Sequence, residues 1–185
     1  MSEPIISYFH GVTWVVVNDK SLDDEIIEQV KKYKSLLFSV SIDNINLLYD
    51  VMNKLPAELE NLYLEVNEEW GNKIKDNLSI SMDMLPLNMK YLQIDISNFN
   101  ESLDNLPSSL KTLIIGSSKF NKPLNNLPLE LERLEINSAF TIPIENIPLT
   151  LKFLTISPSY PYLKDIKKKI PKIIFNNGES RYNNF

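Results

Sequence analysis

A right-handed α/β solenoid carrying one parallel sheet is the fold that the sequence predicts, and three observations predict it. An Ile/Leu-Pro pair recurs at Leu55-Pro56, Leu85-Pro86, Leu106-Pro107, Leu127-Pro128, Ile147-Pro148 and Ile170-Pro171, at intervals of 30, 21, 21, 20 and 23 residues. After most pairs the same apolar-x-x-apolar-x-apolar phrase follows: Leu59/Leu62/Leu64, Met89/Leu92/Ile94, Leu110/Leu113/Ile115, Leu131/Leu134/Ile136 and Leu151/Leu154/Ile156. Ahead of the first pair, strand-like and helix-like segments alternate. A short strand cannot bury its apolar face alone, whereas copies stacked side by side can.

In chain order, "IISYF-HG-VTWVVV" reads as a hairpin whose first strand covers the open edge of the sheet. "VTWVVVND" (12–19) is its buried strand. "SLDDEIIEQVKKYK" (21–34) reads as a helix with Ser21 as N-cap and Asp23, Asp24 and Glu25 in its first turn. Leu22, Ile26, Ile27 and Val30 line one side of it at helical spacing. "SLLFSVSI" (35–42) is a second strand and "NINLLYDVMNKL" (44–55) a second helix or helical turn. Residues 1–54 are thus strand–helix units and a cap, so that helical repeats are expected to open the solenoid.

Residues 55–171 hold the short repeats, with irregular returns. The last three positions of each apolar phrase alternate in and out as a strand does. The proline before each strand has no N–H for a ladder and belongs in the turn leading into the sheet. An aromatic recurs in the return at Trp70, Phe99, Phe120, Phe140 and Tyr160, and is expected to stack into a buried spine. Asn105, Asn126 and Asn146 follow at matched places. Their amides are expected to bond backbone groups of the neighbouring turn. No Gly/Ser-rich break divides the chain, so 1–175 reads as one solenoid domain, and the polar "NNGESRYNNF" (176–185) as a disordered tail.

The combined pattern (L/I)-P-x-x-L-K-x-L-x-I, then F-N-x-P-L-x-N, resembles the FNIP repeat, a relative of the leucine-rich repeat. "LPSSLKTLIIGSSKFNKPLNN" (106–126) is the best copy. The next copy has Thr141 for the family's Asn, the copy from Leu85 has Ser102 for Pro, and the copy from Ile147 reads "SYPYL" where Phe-Asn stands. The copy from Leu55 carries an insertion around "EEWGNKIKDN". The resemblance implies a leucine-rich-repeat-like solenoid that binds protein partners. It also implies an origin in slime moulds or in large DNA viruses of amoebae, and in the family such repeats are often coupled to an F-box.

Chemistry finds little to work with. There is no cysteine, so neither disulfides nor thiolate metal sites are available. The single His10 lies beside Gly11 at a turn, with nothing to mark a nucleophile. The four glycines include no phosphate-binding motif. Asp23-Asp24-Glu25 suit a helix N-terminus better than a metal. A non-enzyme without cofactor is therefore expected. The net charge of −5 argues against nucleic acid, and the absence of a long apolar run argues against a membrane span. Without a secretory leader pattern, an intracellular and cytoplasmic setting is expected. Lys164, Lys167, Lys168, Lys169 and Lys172 form a basic cluster, read either as a solvated last coil or as a docking patch.

Residues between the buried positions should point outward from stacked strands. One column reads Asn61, Tyr91, Thr112, Arg133, Phe153; the next Tyr63, Gln93, Ile114, Glu135, Thr155; the third Glu65, Asp95, Gly116, Asn137, Ser157. They vary from coil to coil as a recognition surface can and a core cannot. Tyr63, Tyr91, Gln93, Ile114, Arg133, Glu135 and Phe153 are the candidate partner-binding residues, aromatics and arginine being common interface anchors. The function expected is a protein-interaction module with a host protein as one candidate partner. A ubiquitin-ligase adaptor and a virion or assembly component are the alternatives.

Overall fold

In the computed structural model, residues 5–9, 11–67, 80–137 and 139–175 are described, save the Ile42 side chain. His10, the insertion with Trp70, and the tail 176–185 lie outside the described residues. One nine-stranded sheet runs through the rest in chain order, from β1 (Ile5–Phe9), β2 (Val12–Asn18) and β3 (Ser35–Ser41) to β4 (Asn61–Asn67) and β5 (Tyr91–Asp95). It continues through β6 (Thr112–Ile115), β7 (Arg133–Ile136), β8 (Phe153–Ile156) and β9 (Lys172–Phe175). Only β1 and β2 pair antiparallel; every later neighbour is parallel. The architecture is a mostly parallel α/β sheet with few helices, compatible with a solenoid.

Helical N-terminal repeats are not upheld. The helix α1 (Asp24–Tyr33) and the helix α2 (Asn46–Asn53) do lie between strands, but they are not copies of one another. The first is capped at both ends; the second follows a single 3₁₀ turn and has no side-chain cap. The start of α1 is also corrected. Asp23, not Ser21, is the N-cap, its carboxylate accepting from the Ile26 N–H at 2.9 Å. Starting there sends Leu22 into the core. A third helix, α3 (Leu163–Ile166), is a single turn. β9 extends the sheet beyond the last proline pair, where no strand was expected.

The repeat has a local cause at each proline. The carbonyls of Pro56, Pro86, Pro107, Pro128 and Pro148 accept from the N–H groups of Leu59, Met89, Leu110, Leu131 and Leu151 at 3.0–3.2 Å. Each bond closes a four-residue turn and fixes the first apolar residue of the phrase inward. Register then stacks the rest. Val15, Leu36, Leu62, Leu92, Leu113, Leu134 and Leu154 align across the sheet, as do Val17, Phe38, Leu64, Ile94, Ile115 and Ile136, and all of them are buried. A one-residue slip would expose both columns, so the pattern specifies the register strongly.

Behind the sheet, Phe99, Phe120, Phe140 and Tyr160 stack in sequence, with centroids 6.1, 6.0 and 5.9 Å apart. The asparagine assignment is corrected in part. Asn105 and Asn126 donate to the carboxylates of Asp83 and Asp104, each 22 residues back, and of the three only Asn146 reaches a backbone carbonyl, that of Asn125. Backbone groups of the returns are also satisfied by the residue after the aromatic. Asn100 Oδ1 accepts from the Asn121 N–H at 2.9 Å, and Asn121 Oδ1 from the Thr141 N–H at 3.0 Å. A side chain one turn away supplies what a regular ladder lacks here.

Candidate interaction surface on the outer face of the sheet

The face opposite the core columns carries the candidate binding residues. Register places Asn61, Tyr91, Thr112, Arg133, Phe153 and Lys172 in one row across β4 to β9. The first four are half-buried and the last two exposed, Phe153 by 37%. The next row runs Leu37, Tyr63, Gln93, Ile114, Glu135, Thr155 and Ile174. Gln93 and Ile114 are half-buried. Tyr63 and Glu135 are not part of an exposed surface: they are 4% and 1% accessible.

Lateral bonding explains both corrections. The Tyr63 ring lies along the face and its hydroxyl donates to Asp95 Oδ2 at 2.7 Å. Glu135 lies between Arg133, whose Nη2 is 3.1 Å from its Oε2, and Asn137, whose Nδ2 donates to Oε1 at 3.5 Å. The Gln93 amide donates to Asp95 Oδ2 at 2.7 Å, and the Tyr91 hydroxyl donates to Gln93 Oε1. Tyr91 also meets Trp14 edge-on at 5.6 Å, and Trp14 stacks on Phe9 at 5.0 Å. The small Ser35 and Asn61 on the strands between β2 and β5 leave the indole room to reach that far. Tyr91 and Arg133 therefore support the fold as well as any contact. The cleanest surface residues of the set are Ile114 and Phe153.

Burial sets the electrostatics. It pushes the Asp95 carboxyl up, against the pull of the Tyr63 and Gln93 bonds, and the nearby charge of Glu135 adds to the rise. Burial likewise raises Glu65, a bond from Ser39 opposes it, and the Asp95 charge adds. It also raises the Tyr91 phenol far above its usual range, helped by Asp95 and Glu135. A carboxyl with a raised folded pKa stabilises the fold in acid and loses that contribution as pH climbs through the folded value. Acidification from about pH 7 to about pH 4 is thus expected to favour the parent over Asp95→Asn. Paired urea melts at the two pH values measure it; a stability difference that stays constant would contradict it.

Gly116 is what lets Asp95 sit there. A Cβ on Gly116 would lie 1.8 Å from Asp95 Oδ1 and 2.8 Å from its Cγ. Gly116→Ala must drive the carboxylate off Tyr63 and Gln93, at an expected cost of about 1–3 kcal/mol. In an Asp95→Ala background most of that penalty should vanish, which a double-mutant cycle by denaturant unfolding reads directly.

A second feature escaped the sequence reading. Leu87, Leu129 and Leu149, each directly after the turn proline, are almost fully exposed. With Ser108 at the matching place they form a row along the turns that enter the sheet. The signal was present in the triplets Leu85-Pro86-Leu87, Leu127-Pro128-Leu129 and Ile147-Pro148-Leu149, whose third residue belongs to no core position.

Among the described residues no group of three or more His, Cys, Asp or Glu side chains is placed to hold a metal, and no helix is long and apolar enough to cross a membrane. The basic cluster is exposed on and after α3, Lys172 lying over the Phe153 ring at 5.7 Å. No protein-family model matches the chain, and no curated protein matches it in sequence.

Proposed function

We propose that the chain is a right-handed, leucine-rich-repeat-like solenoid of the FNIP type, working as a non-catalytic module that grips a protein partner with its outer sheet face. The observation that carries this reading is the contrast between the faces. Inward columns repeat the same aliphatic residues on strand after strand. The outward row Tyr91, Thr112, Arg133, Phe153 changes in size and charge at each step while keeping partial exposure. Rings beside an arginine, rimmed by charge, are the composition of interface hot spots. Residues 55–171 carry the repeats to which the FNIP resemblance refers.

The test is affinity capture with the immobilised full chain from amoebal lysate, followed by titration of whatever is recovered against surface variants. Recovery of one cellular protein whose binding weakens in an Ile114→Ala/Phe153→Ala variant supports the reading. Recovery of cullin-type ligase subunits moves the function to a ubiquitin adaptor. Enrichment of virion proteins from infected cells moves it to a particle component.

A further inference from the structure

The two ends of the sheet differ in kind. β9 carries Lys172, and Lys164, Lys167, Lys168 and Lys169 are exposed on the adjoining turns, a charged edge of the sort that discourages added strands. Among the described residues of the opposite edge, β1 has no such device. Its residues Ile5, Ile6, Ser7, Tyr8 and Phe9 include no charge and no proline, and Ile5, Ile6 and Tyr8 are 59%, 43% and 73% exposed. Uncharged apolar edges of this composition pair readily with another strand. β1 is also held in shape, by five paired positions with β2 and by the Phe9 ring stacked on Trp14.

We propose that β1 pairs antiparallel with β1 of a second copy, about a two-fold axis at Ser7, so that the two sheets become one. Three features select a copy of this chain as the occupant. Along an antiparallel edge, alternate residues point N–H and C=O outward, and a two-fold axis lets one strand satisfy its own twin. With Ser7 facing Ser7, Ile5 faces Phe9 on one side of the sheet and Ile6 faces Tyr8 on the other. Only a small side chain has to meet itself at the axis. Charge selects the same pairing. β1 meets β1 without repulsion, β9 against β9 would bring two lysine-rich edges together, and β1 against β9 would bury Lys172.

Two five-residue strands bury less than the roughly 1,200–2,000 Å² of a standard interface, so the dimer should be weak, with a Kd of about 10–100 μM. Sedimentation equilibrium of the full chain across that range is expected to show reversible growth from 21.4 kDa toward twice that mass. Tyr8→Lys should hold it at the monomer mass while leaving its melting unchanged, because Tyr8 is mostly exposed.

The chain's lack of cysteine makes the register testable. In Ser7→Cys the thiols face each other at Cα separations of about 4.5–5.5 Å, within disulfide reach, so mild oxidation should give a covalent dimer. In Ile5→Cys they are offset by about 13 Å along the strands and should not link. A chain that stays monomeric throughout the range overturns the proposal. So does a dimer that survives Tyr8→Lys, or cross-linking of Ser7→Cys no greater than that of Ile5→Cys.

Discussion

Phe120→Ala is expected to cost about 3–5 kcal/mol, the range for deleting a buried aromatic. The ring is 0% exposed and lies between two others, Phe99 and Phe140, at interplanar angles of 9° and 10°. Truncation loses the transfer free energy of the ring and both stacking contacts, each worth about 0.5–1.5 kcal/mol beyond burial. The cavity cannot close cheaply. Its walls belong to neighbouring strand-and-return segments whose spacing is set by the strands and by the bonds that the Asn121 and Thr141 N–H groups donate to the Asn100 and Asn121 side chains. Urea unfolding at constant m-value measures the loss. A cost under about 1.5 kcal/mol would mean that the spine adds little to stability.

Ile114→Ala/Phe153→Ala should leave the melting midpoint close to the parent's and still reduce partner affinity by about 30-fold or more, the scale of a lost anchor of 2 kcal/mol. Ile114 is half-buried and Phe153 exposed, and neither side chain makes a hydrogen bond that the fold would miss. Arg133→Ala is the less clean probe. It removes one ion-pair partner of a carboxylate that is 1% accessible, so some loss of stability is expected with any loss of binding. Isothermal titration beside thermal melts separates the two effects. Unchanged affinity in the double variant would move the contact to the exposed leucine row of Leu87, Leu129 and Leu149.

The parts of this fold legible in the sequence are those dictated by period. Leucine and isoleucine at fixed offsets from a proline marked β4 to β8, and phenylalanine at fixed offsets marked the stack, because a buried position tolerates few alternatives. β9 was missed because "KIIF" follows a lysine-rich turn with no apolar phrase of full length. The outer face was harder to read for a different reason. Alternation says which way a side chain leaves the strand, not where its end comes to rest. Tyr63 leaves outward and is nevertheless covered, because its hydroxyl finds Asp95 two residues along on the next strand. The helix start was missed by two residues, since Ser21 and Asp23 are both acceptable caps and only the docking of Leu22 decides between them.

That sheet order equals chain order bears on how the molecule is made. Among the described residues each strand bonds to its neighbours in the chain, β1 and β9 to one each and the others to two. A nascent chain can therefore lay each strand on a finished neighbour once its next twenty or so residues emerge, at about 5–20 residues per second. None of the described strand pairings waits for a distant segment, which keeps loop-closure entropy small at each step. Synthesis and assembly then advance at the same pace, one strand at a time.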